Sequence, residues 1–483
     1  MAGPPRPLAL RRLVRRLRGP EGNARRAYAR WQAEVEPPLR AGLRVQRFGQ
    51  PTRIAGADVK PAAVAVVEDP AALSGTRAPW GLVVDPGDRL APGAAEAFGR
   101  AATLAPDAAV ITCDEDQLDA AGRRTRPVMR PGPSPDLLVS RDLAGGLVLV
   151  RPEAALAAGV PLAGPGWRGA VARALTGTDG TAAAHVAAVL VHRAPAAPAP
   201  TRTGRAIAAR VRGEPAVEVV VPFRDRPELL DRAIGSLLRG TAWARLRVTL
   251  VDNASSLPAP EYLVRDGRVR VLRDEGPFNF SALCNRAAMR SHADVLVFLN
   301  NDTEVVEPGW LERLVGEAQR SDVGAVGPLL THADGTVQHA GIAVGLFGLA
   351  GHPFAGLHPT QPTPFGTATD GTRNCLAVTA ACLVIERAKF AQVGGFDERF
   401  VVGGQDVDLG LRLTARGLRS LCVTDVRVIH DEASSRGSHV APTDVGRSEQ
   451  AYGAFRTDGD PWYSPALTRA GTACTLRMPG EAW

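Results

Sequence analysis

The stretch VLVFLNNDTEV, residues 295–305, decides the fold, because an apolar run long enough for one buried strand stops at two asparagines and an aspartate. Two similar runs precede it, VEVVV (217–221) and VTLV (248–251), and the second stops at Asp252. Apolar residues at helical spacing follow the first run. Buried strands that alternate with helices predict an α/β fold, with a doubly wound, mostly parallel sheet and a ligand crevice at the carboxyl ends of the strands.

Composition and missing motifs exclude several classes of protein. The chain has 483 residues, of which 45% are apolar and 22% charged, enough for two or more folded domains. A net charge of +7 would suit nucleic acid, but aromatic residues make up 5% and no basic run is interleaved with them. No GxxxxGKS/T or GxGxxG loop follows the predicted strands. We therefore expect neither a nucleic-acid-binding protein, a P-loop enzyme nor an ordinary dinucleotide oxidoreductase.

Cysteine usage and the apolar stretches favour a cytoplasmic protein. The six cysteines form no CxxC pair, so they predict neither a disulfide framework nor a zinc site. The apolar stretches 341–351 and 377–385 fall short of the ~18 residues that a membrane span needs. Residues 1–18 are basic but lack the apolar core of a signal peptide.

The first helix pattern leaves two interpretations open. Apolar residues recur at helical spacing over residues 8–18, with five arginines among them. A solvated basic helix is one interpretation. A peripheral contact with the inner face of the cytoplasmic membrane is the other.

Composition shifts divide the chain into five predicted parts. The segment APAAPAPTRTG (194–204) lacks periodic apolar residues and predicts an extended linker. The predicted parts are a basic helical arm (1–50), a first α/β domain (51–193), the linker (194–214), a catalytic domain (215–440) and a C-terminal extension (441–483).

An acidic cluster lies in the first domain. Asp114, Glu115 and Asp116 follow a predicted strand at residues 108–112. Carboxylates at a strand end are able to hold a metal ion. A solvated acidic turn is the alternative, and the one we favour.

Polar residues at the strand ends of the second domain suit a nucleotide with its phosphates. Asp252 is placed to accept hydrogen bonds from a base or ribose, or to cap a turn with Asn253. The stretch NNDTE (300–304) offers the hard oxygen ligands that Mg²⁺ or Mn²⁺ accepts along with phosphates. A helix N-cap is the alternative for this segment.

Two later segments offer a base and a nitrogen ligand. GGQDVD (403–408) opens a predicted helix, where Asp406 is placed to take a proton from a substrate hydroxyl. Alternatively, Asp406 and Asp408 are first-turn acids favoured by the helix dipole. His430 follows an apolar run and is either a ligand of the same metal or a structural histidine.

Nine motifs in one order resemble bacterial family 2 glycosyltransferases of the O-antigen and rhamnan-building kind. Together they cover some 220 residues: VVVPFRDRPELL (219–230), VDNAS (251–255), GPFNFSALCNRAA (276–288), LNNDTEV (299–305), DGTVQHAG (334–341), AVTAACLV (377–384), GGFDE (394–398), GQDVDLGLRL (404–413) and HDEASSRG (430–437). The resemblance implies a GT-A (Rossmann-like) fold that binds a nucleoside diphosphate sugar.

The resemblance assigns the donor site residue by residue. Asp252 matches the base-binding aspartate, and Asn300 and Asp302 match the ends of the DxD metal motif, with Asn301 between them. Asn in the first position is a neutral ligand and implies weaker metal binding than two carboxylates. The further residues assigned to nucleotide-sugar binding lie in the same motifs: Pro222, Arg224, Asp225, Asn253, Asn279 and Asn285.

The resemblance also assigns the reacting groups. Asp406 matches the catalytic base of inverting members, and Gln405 and Asp408 beside it are assigned to the acceptor or to support of the base. His430 matches the first histidine of an HHES-like segment and is assigned to the metal with Asp302. The second histidine of that segment is Asp431 here.

The resemblance continues more faintly on both sides. CDEDQLDAAGRRTRPVMRPGPSPDLLVS (113–140) looks like the second half of another such domain, and DPWYSPAL (460–467) resembles the closing segment of the family. The upstream copy has VVDPGDRL (83–90) in place of an aspartate-rich metal motif and GWRGAVARAL (166–175) in place of the base-bearing segment. We therefore predict a truncated, degenerate copy in tandem with the working domain.

These assignments predict an inverting, metal-dependent glycosyltransferase. The donor is a nucleoside diphosphate sugar, dTDP-rhamnose-like or a UDP-sugar, the cofactor is Mn²⁺ or Mg²⁺, and the acceptor is a growing surface glycan on a lipid carrier. A non-catalytic glycan or nucleotide-sugar binding protein is the alternative.

Overall fold

The computed structural model describes most of the chain as two α/β units and a C-terminal segment. The described ranges are 19–56, 58–140, 147–159, 167–176, 180, 182–195, 209–431 and 441–481. The predicted basic helix over 8–18 and most of the predicted linker lie outside these ranges. Within them, no helix is long and apolar enough to cross a bilayer.

The first unit is built around a nine-stranded sheet. Its strands are β1 (Leu43–Arg47), β2 (Arg53–Ala55), β3 (Val64–Val67), β4 (Trp80–Val84), β5 (Arg89–Leu90), β6 (Val110–Leu118), β7 (Arg124–Val128), β8 (Leu147–Val150) and β9 (Ala183–Arg193). Its helices are α1 (Gly19–Glu34), α2 (Glu36–Ala41), α3 (Ala94–Leu104), α4 (Pro135–Ser140), α5 (Pro152–Ala157) and α6 (Trp167–Thr176). The main strand order is β2-β1-β9-β6-β8-β4-β3.

The second unit is built around a ten-stranded sheet, with a small β17–β18 hairpin beside it. Its strands are β10 (Val217–Phe223), β11 (Leu246–Asn253), β12 (Val269–Asp274), β13 (Val295–Leu299), β14 (Thr303–Val305), β15 (Val323–Thr331), β16 (Val337–His339), β17 (Ala343–Val344), β18 (Ala350–Gly351), β19 (Arg373–Cys375), β20 (Cys382–Glu386) and β21 (Arg419–His430). Its helices are α7 (Pro227–Gly240), α8 (Glu261–Arg265), α9 (Phe280–Met289), α10 (Trp310–Ala318), α11 (Arg387–Gln392) and α12 (Gln405–Thr414), and the C-terminal segment adds α13 (Pro442–Ala451) and α14 (Gly453–Thr457).

Burial on both faces explains why the central strands are apolar throughout. Val219 and Val221 of β10 face one core, which α7 and α10 cover. Val220, between them, faces the opposite core, which α9, α11 and α12 cover. All three valines are 0% exposed, as the period-two alternation of a strand between two helical layers requires. The predicted doubly wound α/β fold is confirmed.

The sheet of the second unit is mixed rather than uniformly parallel. Its main order is β12-β11-β10-β13-β20-β15-β21-β14. The first four strands run parallel, whereas β20 is antiparallel to both of its neighbours. Parallel strands end at one edge of a sheet, so the polar residues that follow β10, β11 and β13 meet there.

Five strands of the first sheet repeat the pairing of five strands in the second. In the second unit β10 is parallel to β13, β13 and β15 flank β20 antiparallel, and β15 is parallel to β21. In the first unit β3, β4, β8, β6 and β9 pair in the same order and directions. Strands in the positions of β11 and β12 are missing from this sheet in the described part of the first unit.

Our preferred interpretation of the acidic cluster in the first unit, a solvated turn, is wrong. Asp114, Glu115 and Asp116 lie inside β6 and are at most 4% exposed, so they are not a solvated turn. Arg130 and Arg193 pair with Glu115, and His192 Nδ1 lies 2.7 Å from an Asp116 oxygen. Three buried carboxylates persist in this strand because guanidinium and imidazole groups from neighbouring elements pair with them.

A buried polar clamp joins the two units. Asp136 of the first unit accepts hydrogen bonds from Asn374 (2.7 Å) and Arg320 (2.6 Å) of the second. Arg419 Nε lies 3.1 Å from the same carboxylate. Asp136 and Arg419 are 7% and 2% exposed, so each charge depends on its partners rather than on water. An apolar cluster that includes Trp31 of α1 and residues of the second unit and the C-terminal segment adds to this contact.

The C-terminal segment crosses the junction. Gln46 of β1 donates to the carbonyl oxygens of Asp460 (3.2 Å) and Tyr463 (3.1 Å). The Trp462 indole donates to the carbonyl of Pro133 at 2.7 Å. The segment that we predicted to be an extension therefore packs against the first unit.

Removing the clamp is expected to destabilise the chain strongly. In Asp136→Ala, Arg419 and Arg320 lose a buried counter-charge, and the free energy of unfolding should fall by about 3 kcal/mol. Urea unfolding followed by tryptophan fluorescence measures it. Glu261→Gln, which removes an exposed ion pair to Arg265, is the matched control and should change little. Equal losses in both variants would contradict a clamp that depends on burial.

Candidate active site

A cavity of about 840 Å³ opens at the carboxyl ends of the second unit's strands. Seven of the predicted site residues line it: Pro222, Asn300, Asn301, Asp302, Gln405, Asp406 and His430. These residues come from segments almost 210 positions apart in the sequence. The fold therefore gathers the predicted metal-binding group and the predicted base around one space.

Strand pairing brings Asp302 and His430 together. In the antiparallel pair of β14 and β21, Thr303 lies opposite His430. This register sets the imidazole beside Asp302, the residue before Thr303. His430 Nε2 lies 3.2 Å from Asp302 Oδ1 and 3.3 Å from the Asn300 side-chain nitrogen. His430 Nδ1 is buried and has no hydrogen-bond partner among the described residues.

The Asp302 and His430 pair fits a divalent cation that is shared with a substrate. Among the described residues, no three His, Cys, Asp or Glu side chains converge as a complete metal cage. One carboxylate and one imidazole are nevertheless a donor set that Mn²⁺ accepts, and such cations often take their other ligands from substrate phosphates and water. The residues present therefore suit a metal that binds together with a diphosphate.

Asp406 lies in the first turn of α12 and lines the same cavity. The preceding Gly404 has φ 97°, and a Cβ there would lie 2.7 Å from Ser448 Oγ, so the turn into the helix requires glycine. The carboxylate accepts hydrogen bonds from the backbone N–H groups of Ala380 (3.2 Å) and Val407 (2.9 Å). Burial outweighs these bonds and raises the pKa of Asp406 above its ordinary value.

Of the two residues that were assigned to the acceptor or to support of the base, Gln405 lines the cavity and Asp408 does not. Gln405 is 6% exposed, lines the cavity and has a side-chain oxygen without a partner among the described residues. Asp408 forms a two-point ion pair with Arg412, at 2.6 and 2.8 Å, one turn along the helix. Gln405 is thus placed to touch a ligand, whereas Asp408 braces the helix.

Sequence reasoning missed Asp444 of α13, which holds the loop before the base. Its carboxylate is 0% exposed and accepts hydrogen bonds from the N–H groups of Val401 (3.2 Å), Val402 (2.8 Å) and Gly403 (3.2 Å). No pattern near Asp444 signals this role, because the partners lie about 40 residues earlier in the chain. Ser448 and Tyr452, also in the segment that we predicted to be an extension, line the cavity.

Asp252 lines a second cavity, of about 310 Å³, which Phe223 and Arg273 also line. The Asp252 carboxylate accepts hydrogen bonds from Arg273 (2.6 Å) and from the N–H of Ser255 (2.9 Å). Phe223 follows Pro222 directly, and Pro222 lines the first cavity. The end of β10 therefore touches both cavities.

Two of the predicted donor-site asparagines support a loop instead. Asn279 caps α9 by accepting from the N–H of Ala282 and donates to the carbonyl of Glu398. Asn285 bonds both the N–H and the carbonyl of Phe396. Neither side chain lines the two cavities. Both amides hold the turn that leads toward Asp406, and their assignment to nucleotide-sugar binding stays a prediction.

Three further predicted residues lie near β10 and β11 but outside the lining of both cavities. The Asp225 carboxylate accepts from the N–H groups of Ser256 and Leu257, and the bond to Leu257 contributes most to lowering its pKa. Asn253 donates to the carbonyl of Gly276 at 2.8 Å. Arg224 is exposed. They shape the loops around Asp252, and their assignment to nucleotide binding stays a prediction.

In the first unit, the position that corresponds to the Asp302 and His430 pair contains the side chain of Arg193. Arg89 of β5 lies opposite His192 of β9, the same register that Thr303 and His430 have in the second unit. Asp88 therefore stands where Asp302 stands, but the Arg193 guanidinium pairs with it at 2.9 Å. A fixed cation from the protein occupies the surroundings of this carboxylate.

A family model and several relatives are similar to the chain, and three of these relatives are described here. The model of glycosyl transferase family 2 matches residues 218–345. O-antigen biosynthesis protein RfbC of Myxococcus xanthus is 40% identical over 438 residues, covering 82% of this chain and 34% of that protein. The uncharacterized protein y4gI of Sinorhizobium fredii (strain NBRC 101917 / NGR234) is 36% identical, covering 55% of this chain and 31% of that protein.

The third relative is matched over most of its own length. It is the N-acetylglucosaminyl-diphospho-decaprenol L-rhamnosyltransferase of Mycobacterium tuberculosis (strain ATCC 25618 / H37Rv), 31% identical, with 46% of this chain and 79% of that protein covered. The chain spans about a third of the length of the first two relatives.

Loss of the Asp444 carboxylate is expected to loosen the loop before α12. In Asp444→Asn, one accepting oxygen becomes a donor that faces backbone N–H groups, so the amides of Val401, Val402 and Gly403 should exchange with solvent about tenfold faster or more. Hydrogen exchange with mass spectrometry measures this. Glu449→Gln, on the exposed side of the same helix, is the control. Unchanged exchange in Asp444→Asn would show that the loop does not depend on this side chain.

Proposed function

The chain belongs to glycosyltransferase family 2, and from this premise we propose that it is an inverting glycosyltransferase. In this proposal it moves a sugar from a nucleoside diphosphate sugar to a growing surface polysaccharide. The observation that carries the proposal is the single cavity lined by both the Asp302 and His430 pair and Asp406. One side suits a leaving diphosphate, and the other offers a base.

Asp406 is the proposed base. A carboxylate that burial makes a stronger proton acceptor takes the proton from an acceptor hydroxyl, and the oxygen then attacks the anomeric carbon from the side opposite the diphosphate. One displacement inverts the configuration. Gln405 lines the same cavity and is the proposed contact for a hydroxyl of the donor or acceptor sugar.

Asp302 and His430 are the proposed metal ligands, with Asn300 beside them. A divalent cation, Mn²⁺ or Mg²⁺, would neutralise negative charge as the diphosphate leaves. The residues themselves orient that end of the donor, because the β14–β21 register fixes both side chains. A single carboxylate among the ligands leaves room for phosphate oxygens.

The smaller cavity is the proposed nucleoside site. Asp252 retains lone pairs beyond the two bonds that it accepts, so it is able to receive an N–H of a pyrimidine base or a ribose hydroxyl. Phe223 offers an apolar wall there. Pro222 lines the larger cavity and Phe223, the next residue, lines the smaller one, and in this proposal the nucleoside diphosphate extends from one to the other.

The names of two relatives suggest the substrates. One relative is an O-antigen biosynthesis protein, and another transfers L-rhamnose to an N-acetylglucosaminyl-diphospho-decaprenol. We extend both to this chain: the donor is dTDP-rhamnose-like, and the acceptor is a glycan on a lipid diphosphate. A UDP-sugar is the other donor to be tested.

We also propose that the first unit is a copy of the same fold that has lost its donor site. Its five-strand pairing pattern and the equivalent register of His192 support this. Strands in the positions of β11 and β12, which carry Asp252 and Arg273 in the second unit, are missing from the described part of that sheet. Arg193 neutralises Asp88 where a metal would otherwise bind.

Turnover is the first test. Wild type should release nucleoside diphosphate from one member of a panel of dTDP-, UDP- and GDP-sugars in the presence of Mn²⁺ and a glycan acceptor. In Asp406→Asn, kcat should fall by about 100-fold or more because no base remains. Asp397→Asn, which removes a surface ion pair to Arg399, is the control. Release from no donor by wild type would favour the binding-protein alternative.

The pH profile tests the raised pKa of Asp406. The base works when ionised, so kcat/KM should rise with pH through the pKa of Asp406 and then level off. Because burial raises that pKa, the rise should occur at higher pH than for an exposed aspartate. Initial rates between pH 4 and 8 at saturating Mn²⁺ measure it, with pH-jump controls for irreversible loss of activity. A plateau that extends down to the ordinary aspartate range would contradict this assignment.

Metal dependence is tested at Asp302. Asp302→Asn removes the charged ligand and should weaken Mn²⁺ binding in the presence of nucleoside diphosphate by about tenfold or more. Electron paramagnetic resonance of free Mn²⁺ reports binding without any need for turnover. Glu304→Gln changes a carboxylate two positions away and should bind as wild type does. Equal Mn²⁺ affinity in all three proteins would remove Asp302 from the metal site.

A further inference from the structure

The turn between β17 and β18 carries an exposed phenylalanine at the edge of the larger cavity. Leu349, Ala350 and Gly351 line that cavity. Phe347, two residues before Leu349, is 59% exposed. A Cβ placed on Gly351 would lie 3.3 Å from the Phe347 ring, so the ring lies against the segment that forms the cavity wall. An apolar surface thus continues from this wall to the ring.

The backbone of Phe347 has a conformation that glycine adopts with less strain. Its φ is 53° and its ψ 25°, in the left-handed region that side chains with a Cβ disfavour. Gly345 and Gly348 of the same turn have φ values of 103° and 77°. The turn therefore presents a large side chain where a third glycine would cost less, and strained residues of this kind cluster at functional sites.

The C-terminal segment holds the turn in place from behind. The N–H of Phe347 donates to the carbonyl of Arg469 at 2.7 Å, and Arg469 Nε donates to the carbonyl of Gly345 at 3.0 Å. Arg456 Nε donates to the carbonyl of Gly348. Leu346, 1% exposed, packs into the apolar cluster at the junction of the units. Other groups thus fix the turn, and most of the Phe347 ring stays outside the core.

An exposed aromatic ring beside charged groups suits a sugar. A sugar ring has a face of C–H groups, which stacks on the electron-rich face of an aromatic ring, and a rim of hydroxyls that needs polar neighbours. Arg456, which bonds this turn, also pairs with Glu449 at 3.0 Å on the exposed surface. The alkyl chain of a lipid carrier would lie beside these charges without hydrogen-bonding to them.

We infer that Phe347 is a specificity residue that stacks on a sugar of the acceptor glycan. The inference rests on the proposed glycosyl transfer. In that proposal the reacting sugar lies in the cavity with its hydroxyl at Asp406. Phe347 lies at the edge of the cavity without lining it, so its ring meets the next sugar of the acceptor. The turn therefore favours acceptors that already contain two or more sugars.

A change to glycine separates this role from a structural one. Phe347→Gly relieves the left-handed backbone and removes a side chain that is mostly exposed, so the melting temperature should rise or stay within about 2 °C of wild type. Differential scanning calorimetry measures it. A fall of about 5 °C or more would show that the ring serves the fold, and would overturn the inference.

Four acceptors test which part of the acceptor the ring contacts. With dTDP-L-rhamnose as donor, the acceptors are the methyl and octyl glycosides of one α-L-rhamnose and of two linked α-L-rhamnoses. In wild type the second sugar should lower the acceptor KM about fivefold or more, and in Phe347→Gly this advantage should fall to within about twofold. Phe347→Tyr should keep it. Met289→Ala, which removes a side chain that is 75% exposed at the end of α9, is the control.

A fluorine spectrum tests the contact without any turnover. In protein with 4-fluorophenylalanine at position 347, methyl dirhamnoside should shift the ¹⁹F signal saturably in the presence of dTDP and Mn²⁺. Methyl rhamnoside, which reaches the cavity but not its edge, should shift the signal much less.

The outcomes separate this inference from the proposed function. The inference is overturned by an advantage of the second sugar that persists in Phe347→Gly, or by equal ¹⁹F shifts with one and two sugars. Loss in Phe347→Gly of the advantage of octyl over methyl glycosides would assign the ring to the lipid carrier instead, and would also overturn it. Release of nucleoside diphosphate by no wild-type reaction would overturn the proposed function, and the ¹⁹F spectrum would still report whether the ring meets a second sugar.

Discussion

The antiparallel register of β14 against β21 is the constraint on which the site depends. It sets Thr303 opposite His430 and so brings Asp302 to the imidazole across more than a hundred residues of sequence. Everything else in the cavity is arranged relative to this pair, since β13 delivers Asp302 and β21 lies at the far side of the sheet. A shift of one residue would turn the imidazole to the opposite face. Val426 and Val428 are buried on the same face of β21 as His430, whereas Asp425 and Arg427 are exposed on the other face, so such a shift would be costly.

Buried carboxylates differ in this chain according to what surrounds them. Asp444 receives three backbone N–H groups, and Asp136 receives two guanidinium groups and an amide, so each is satisfied as an anion. Asp406 receives two N–H groups, and burial prevails over these bonds and over the charge of His352, so that its pKa is raised. A fully satisfied carboxylate is a poor proton acceptor, so the raised pKa of Asp406 is consistent with the role of base that we propose for it.

The sequence predicted the features that depend on local pattern. Apolar runs that stop at polar residues gave β10, β11 and β13, and the edge where they end gave the location of the cavity. It did not predict Asp444 or Arg273, because their roles come from contacts between segments far apart in the chain. Asp114 to Asp116 were misplaced for the same reason, since their neutralising partners lie on other elements. Asn279 and Asn285 were identified from their motifs, and their side chains hydrogen-bond to the backbone of a loop.

The junction between the units has a consequence for how such a protein changes over evolutionary time. Asp136, Arg419 and Asn374 form one polar group with members on both sides, and the C-terminal segment is laid across it. A recombination event that inherited the second unit alone would carry a buried arginine without its aspartate and an apolar face without its cover. A protein that kept the second unit alone would therefore need other residues in place of Arg419 and of this apolar face.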